Sequence, residues 1–212
     1  MTKLIELLRK HSGSLITWFA IASILLWLFS YVTAGIYYSA DFDGFIANGP
    51  FQLFNPLRRL AAGQTPGVDF QFFHGIGVPL LHYPLFALFG KGLYASEISR
   101  YLTSIIAYVG GMFLFGYAAT NRTWKSATIF LAIAIYFLEI VGPSQQGPAN
   151  LLATPGNSLL GLRSTMPLVF FSVLLLPLNP RLKPILAGVC LAVSILCGTE
   201  HGLATVASFI GI

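Results

Sequence analysis

Long uncharged apolar runs separated by short polar breaks dominate the chain. They fall at residues 15–34, 101–119, 127–141, 164–178 and 184–198. Each, with its flanks, is long enough to cross about 30 Å of hydrocarbon as an α-helix. A further run, 203–212, has only ten residues, so the sequence is expected to be the N-terminal part of something longer. The pattern predicts an all-α integral membrane protein with five to six transmembrane helices and a single polytopic domain over 1–212. Residues 37–100 form its long external first loop, which is expected to carry amphipathic juxtamembrane helices. Within that loop Phe51, Phe54, Leu57 and Leu60 recur at near-helical spacing, with Arg58 and Arg59 on another face. This predicts a surface helix over 51–62 lying on the outer leaflet. Residues 74–90 are apolar but hold His82, Pro79 and Pro84, and are read as lying along the interface or re-entering.

Composition strengthens the membrane reading. The chain is 56% hydrophobic and only 9% charged, against roughly a quarter charged in an ordinary soluble domain. A soluble globule and a disordered chain are both excluded. The net charge of +5 comes from basic residues scattered in ones and twos between apolar runs, which argues against nucleic-acid binding. With 74–90 kept from crossing, Lys3, Arg9, Lys10, Arg122, Lys125, Arg181 and Lys183 share one side, and the positive-inside rule makes that side, and the N-terminus, cytoplasmic. Cys190 and Cys197 lie about 10.5 Å apart along one helix, too far for a disulfide. The first apolar run exceeds a signal-peptide core and reads as a retained anchor.

This orientation gathers the acids. Asp41, Asp43, Asp69 and Glu97 fall in the external loop, Glu139 and Glu200 at outer helix ends, and Glu6 alone inside. Either loops simply tolerate charge, or the outer face carries a carboxylate-lined site. Asp41 and Asp43 follow the first helix closely, where a partly desolvated carboxylate can act as a base. The same pair could hold a divalent cation if the chain is extended, or cap a helix. Arg58 suits either lipid headgroups or a phosphate, and so does Arg163 at the start of its helix. Residues 142–163 are rich in Gly, Pro, Asn and Gln, whose amides can bond sugar hydroxyls or serve an ordinary loop. Glu200 and His201 interrupt an apolar run at membrane depth, where ionisable side chains are costly and tend to line a cavity.

The segment from Gly63 through Pro66, Asp69 and Phe70, followed by Gly75, Pro79, Pro84 and Leu88-Phe89-Gly90, resembles the first external loop of the GT-C superfamily of polytopic membrane glycosyltransferases. Asp69 to His74, with Pro79 beyond, is similar to the aspartate-then-histidine-proline segment of protein O-mannosyltransferases and the aminoarabinose transferase group. Gly75 stands where those proteins carry the first proline. Arg100, the basic turn at 121–125 and Arg163 also resemble positions in these enzymes. The resemblance implies transfer of a sugar from a polyprenyl-phosphate donor to an acceptor on the external face of a membrane, here a bacterial inner membrane. It implies Asp43 or Asp41 as the catalytic base, with Asp69, His74 and Arg163 as candidate substrate contacts, beside which the residue chemistry above sets Arg58, Glu200 and His201. No cofactor is required, though a divalent cation at Asp41 and Asp43 is compatible. The partners are the lipid-linked sugar and membrane lipids. Two other readings stand beside it: a transporter or flippase of a lipid-linked saccharide, and a non-catalytic membrane assembly subunit.

Overall fold

The computed structural model describes residues 2–40, 50–72, 74–141 and 161–211, and among them side chains 13–37, 51–72, 74–137 and 161–211. The described residues form eight helices and no strand: α1 (Thr2–Ala40), α2 (Pro50–Ala61), α3 (Gly77–Leu88), α4 (Leu93–Ala119), α5 (Trp124–Val141), α6 (Leu162–Leu175), α7 (Leu182–Cys197) and α8 (Thr199–Ile210). Two of them, over Gly13–Tyr37 and Leu93–Ala119, are long and apolar enough to cross a membrane. The other apolar helices are shorter than these two, and two boundaries differ from the runs. Pro177 lies just past the end of α6 at Leu175, three residues before the expected 178. Gly198, in an extended conformation, separates α7 from α8, so the last run begins at Thr199 rather than 203.

Helix α4 is the hub, packing against α1, α2, α3, α5 and α6. On α1 the residues Ala20, Ile24, Trp27 and Tyr31 are buried at helical spacing. Trp27 and Tyr31 meet Tyr101, Ile105 and Tyr108 of α4 and Leu131 and Ile135 of α5 in an aromatic-rich core. The rest of α1 is no less apolar: Leu15, Ile16, Trp18, Phe19, Leu25, Leu26 and Phe29 are all exposed. A helix that is hydrophobic all round, with one stripe against protein, is what lipid as solvent selects.

Three expectations change. The first loop is shorter than 37–100, because α1 runs on to Ala40 and α4 already begins at Leu93. Glu97 therefore lies inside α4, not in a loop, and the helix accommodates it by pairing it with Arg100 one turn later. The amphipathic helix forms, but its apolar face does not rest on lipid. Leu53 and Leu57 are completely buried in a second core with Val78 and Phe86 of α3 and Ala95 of α4.

The position of α3 decides the arrangement. Gly75, with φ of 104°, and Gly77 press directly on Leu196 and Cys197 at the end of α7, and a Cβ at Gly75 would clash with the Leu196 carbonyl oxygen. Phe89, just past the other end of α3, shares a cavity wall with Gly35, Tyr94 and Ile98. The segment thus runs from the end of α7 to a wall shared with α1 and α4. At the opposite end, Arg122 between α4 and α5 donates to the Leu175 carbonyl, 3.4 Å away. Lys125, Arg181 and Lys183 sit at that same end, at the starts of α5 and α7.

Candidate functional site

The polar cluster most distinct from this apolar background forms where the first turns of α6 and α8 meet. Arg163 is the second residue of α6, and its stem runs alongside Gly198, where a Cβ would stand only 3.0 to 3.3 Å from the Arg163 side chain. Its Nη2 donates to Oε2 of Glu200, in the first turn of α8, at 3.2 Å. Its Nη1 donates to Nδ1 of His74 at 3.4 Å, with the imidazole nitrogen accepting. The ion pair is lopsided. The Arg163 side chain is 9% exposed and that of Glu200 86%, so a buried cation is held by an anion that stands in the open.

Neither helix start carries a side-chain cap; two helix N-termini lie beside Arg163, with the C-terminal end of α7 meeting them at Gly198. Burial holds the His74 pKa below the ordinary imidazole range; the Arg163 guanidinium adds to this and Glu200 opposes it. His74 is thus a neutral acceptor at neutral pH. His201, next to Glu200, is half-buried, and its Nδ1 is buried without a hydrogen-bond partner among the described residues. The cluster lies partway along α4. Thr165, two residues past Arg163, packs on Gly111, about 27 Å along the α4 axis from Leu93.

The remaining candidates lie apart or outside. Oδ2 of Asp69 accepts the Thr65 backbone N–H at 2.7 Å, closing the turn that follows α2. Arg58 is exposed on α2, with Asn55 Oδ1 at 3.5 Å. Asp41 and Asp43, and the amide-rich residues 142–160, fall outside the described residues. Among the described residues no group of three or more His, Cys, Asp or Glu is arranged to hold a metal ion.

Two buried polar features escape sequence reasoning. Glu97 and Arg100 form an ion pair at 2.5 Å, with 2% and 7% side-chain exposure. Their i, i+3 spacing inside an apolar helix was the available signal. His82 of α3 is fully enclosed, and its Nδ1 lies 2.6 Å from the Val78 carbonyl. Burial pushes its pKa down to about 4, the Val78 hydrogen bond opposing and Arg100 assisting.

Compared with models of known protein families, with curated protein sequences and with solved structures, the chain matches none. The chemistry of the site therefore rests on its own geometry. A buried guanidinium, two helix N-termini and a neutral imidazole form an environment suited to a tetrahedral oxyanion.

Proposed function

We propose that the chain is a polytopic membrane glycosyltransferase of the GT-C kind, moving a sugar from a polyprenyl-phosphate donor to an acceptor on the external face of a bacterial inner membrane. The observation that carries this reading is Arg163, buried beside His74 at two helix starts among helices whose outer faces are apolar. Such a place suits a phosphate carried on a lipid. In this reading α1 and α4 to α7 cross the bilayer, and the end bearing Arg122, Lys125, Arg181 and Lys183 faces the cytoplasm.

Catalysis then follows from charge. Asp43 or Asp41 takes the proton from the acceptor hydroxyl, and the hydroxyl oxygen attacks the anomeric carbon. The bond to the phosphate oxygen breaks with inversion, and Arg163 neutralises the charge on the departing lipid phosphate. A divalent cation at Asp41 and Asp43 would assist the same step. Glu200, the resident partner of Arg163, must yield as the phosphate arrives. The test is transfer from a polyprenyl-phosphate sugar by the full-length protein in detergent, where a transporter has no compartments to work between. Arg163→Gln should abolish turnover and weaken binding of farnesyl phosphate. Binding without turnover for any donor sugar would favour the transporter reading, and unaltered farnesyl phosphate binding by Arg163→Gln would remove Arg163 from the site.

A further inference from the structure

A second cavity lies between α2 and residues 70–72, and we propose that it binds an uncharged saccharide ring. Its volume is about 330 Å³, within the range of small-molecule sites. Three carboxamides line it: Gln52 and Asn55 from α2 and Gln71 from the loop. A carboxamide offers both donors and an acceptor, the set that matches a hydroxyl group, itself donor and acceptor. The carboxamides of Gln52 and Gln71 make no hydrogen bond to the described residues, which leaves them open to a ligand.

The rest of the lining selects against charge. Among the described residues no carboxylate lines the cavity, so none of them would neutralise a cation there. The cationic residue among the described lining, Arg59, is already engaged: Nη1 donates to the Asp69 backbone carbonyl at 3.3 Å, and the guanidinium lies 5.7 Å from the centroid of the Phe70 ring. The remaining wall is aromatic, from Phe51, Phe70 and Phe72, a surface for the apolar C–H face of a sugar. Hydroxyls around an apolar ring face fit both halves of this lining.

The cavity adjoins the Arg163 cluster. Phe72 forms part of its wall and packs edge-on against the His74 ring at 5.6 Å, and His74 is the residue to which Arg163 donates. A lipid phosphate at Arg163 and a sugar in the cavity would stand on either side of one aromatic–imidazole pair. The inference rests on the transferase reading for the origin of the sugar, and adds the place where a saccharide is recognised.

The experiment uses the full chain in phospholipid nanodiscs and saturation-transfer NMR with methyl glycosides of glucose, galactose, mannose and N-acetylglucosamine. Saturation should reach the ring C–H protons of at least one glycoside. Gln52→Leu and Gln71→Leu should each weaken that binding about fivefold, the factor to which the loss of ~1 kcal/mol of hydrogen bonding corresponds. Gln71 is exposed, so its variant tests the contact without disturbing the core. A hydrolysis-resistant farnesyl-phosphoryl sugar that displaces the glycoside marks the cavity as the donor-sugar site; simultaneous binding marks an acceptor site. No binding by any glycoside, saturation by sugar phosphates alone, or Leu variants that bind like the wild type would overturn the proposal. Glycoside binding that survives Arg163→Gln in a protein with no transferase activity would leave the cavity standing and remove the transferase. Transfer that is indifferent to both Gln variants would do the reverse.

Discussion

Breaking the Glu97–Arg100 pair should cost more from one side than from the other. Both side chains are buried within α4, and Glu97 Oε1 and Arg100 Nε lack partners among the described residues. The pair therefore compensates the burial of two charges but does not satisfy every polar atom. Removing one member of such a pair costs about 3–5 kcal/mol, because the survivor is left buried and uncompensated. The two survivors differ. A lone Glu97 can take up a proton and become neutral, whereas a lone guanidinium has no neutral form to fall back on. Glu97→Gln, which strands Arg100, should therefore lie at the upper end of that range and Arg100→Met at the lower. For a chain of this size the range corresponds to about 6–20 °C in Tm. The combined variant, Glu97→Leu with Arg100→Met, puts apolar groups in the same space and should recover most of the loss, since replacing a whole buried pair is often neutral or stabilising. Thermal unfolding in detergent, followed by tryptophan fluorescence, measures all three. Additive losses in the double variant, or single losses below about 1 kcal/mol, would refute the claim that each of these charges is compensated chiefly by the other.

Burial of neutral His82 links stability to acid. Its folded-state pKa is depressed to about 4 from 6.5, so stability is complete above 6.5, declines as pH falls from 6.5 toward 4, and should lose about 3 kcal/mol in all; acid titration of unfolding should show this slope in the wild type and not in His82→Leu. Because Glu200 is an exposed carboxylate competing for a buried guanidinium, Glu200→Gln should bind farnesyl phosphate about fivefold more tightly by titration calorimetry. Glu200→Asp, which is too short to reach Arg163, should behave like Gln if competition is the cause; if it matches the wild type, only repulsion remains. In a cysteine-free background, a thiol introduced at Thr123 should resist an impermeant reagent applied to intact cells while one at Asn150 reacts; reaction at Thr123 would reverse the orientation.

Helix type and order were legible wherever a run was long and uniform, as in α1 and α4, because lipid-compatible composition and helical periodicity state the same thing twice. Boundaries were less legible. The ends of α6 and α7 are fixed by Pro177 and Gly198, residues that a hydropathy average absorbs into the run. Glu97 was misplaced for a related reason: a lone charge argues for a loop, and only the three-residue offset to Arg100 argues for a helix. The face of α2 could be read from its periodicity, but what it packs against could not, since Leu53 and Leu57 are equally content against lipid or against Phe86 and Val78.

The site was legible as a set of residue types and opaque as a geometry. Arg163 and Glu200 are 37 residues apart and His74 is 89 residues from Arg163, and no local pattern couples them. What brings them together is backbone proximity at residues without side chains. Gly198 lets the Arg163 stem pass, and Gly75 and Gly77 let the residues after His74 press against the end of α7. Gly75 is thus the residue whose positive φ and missing Cβ allow the approach to Leu196. A proline there would be held at negative φ and would carry a Cβ into the Leu196 carbonyl. Gly75 thereby seats the segment after His74 on the end of α7, beside the helix start that carries Glu200.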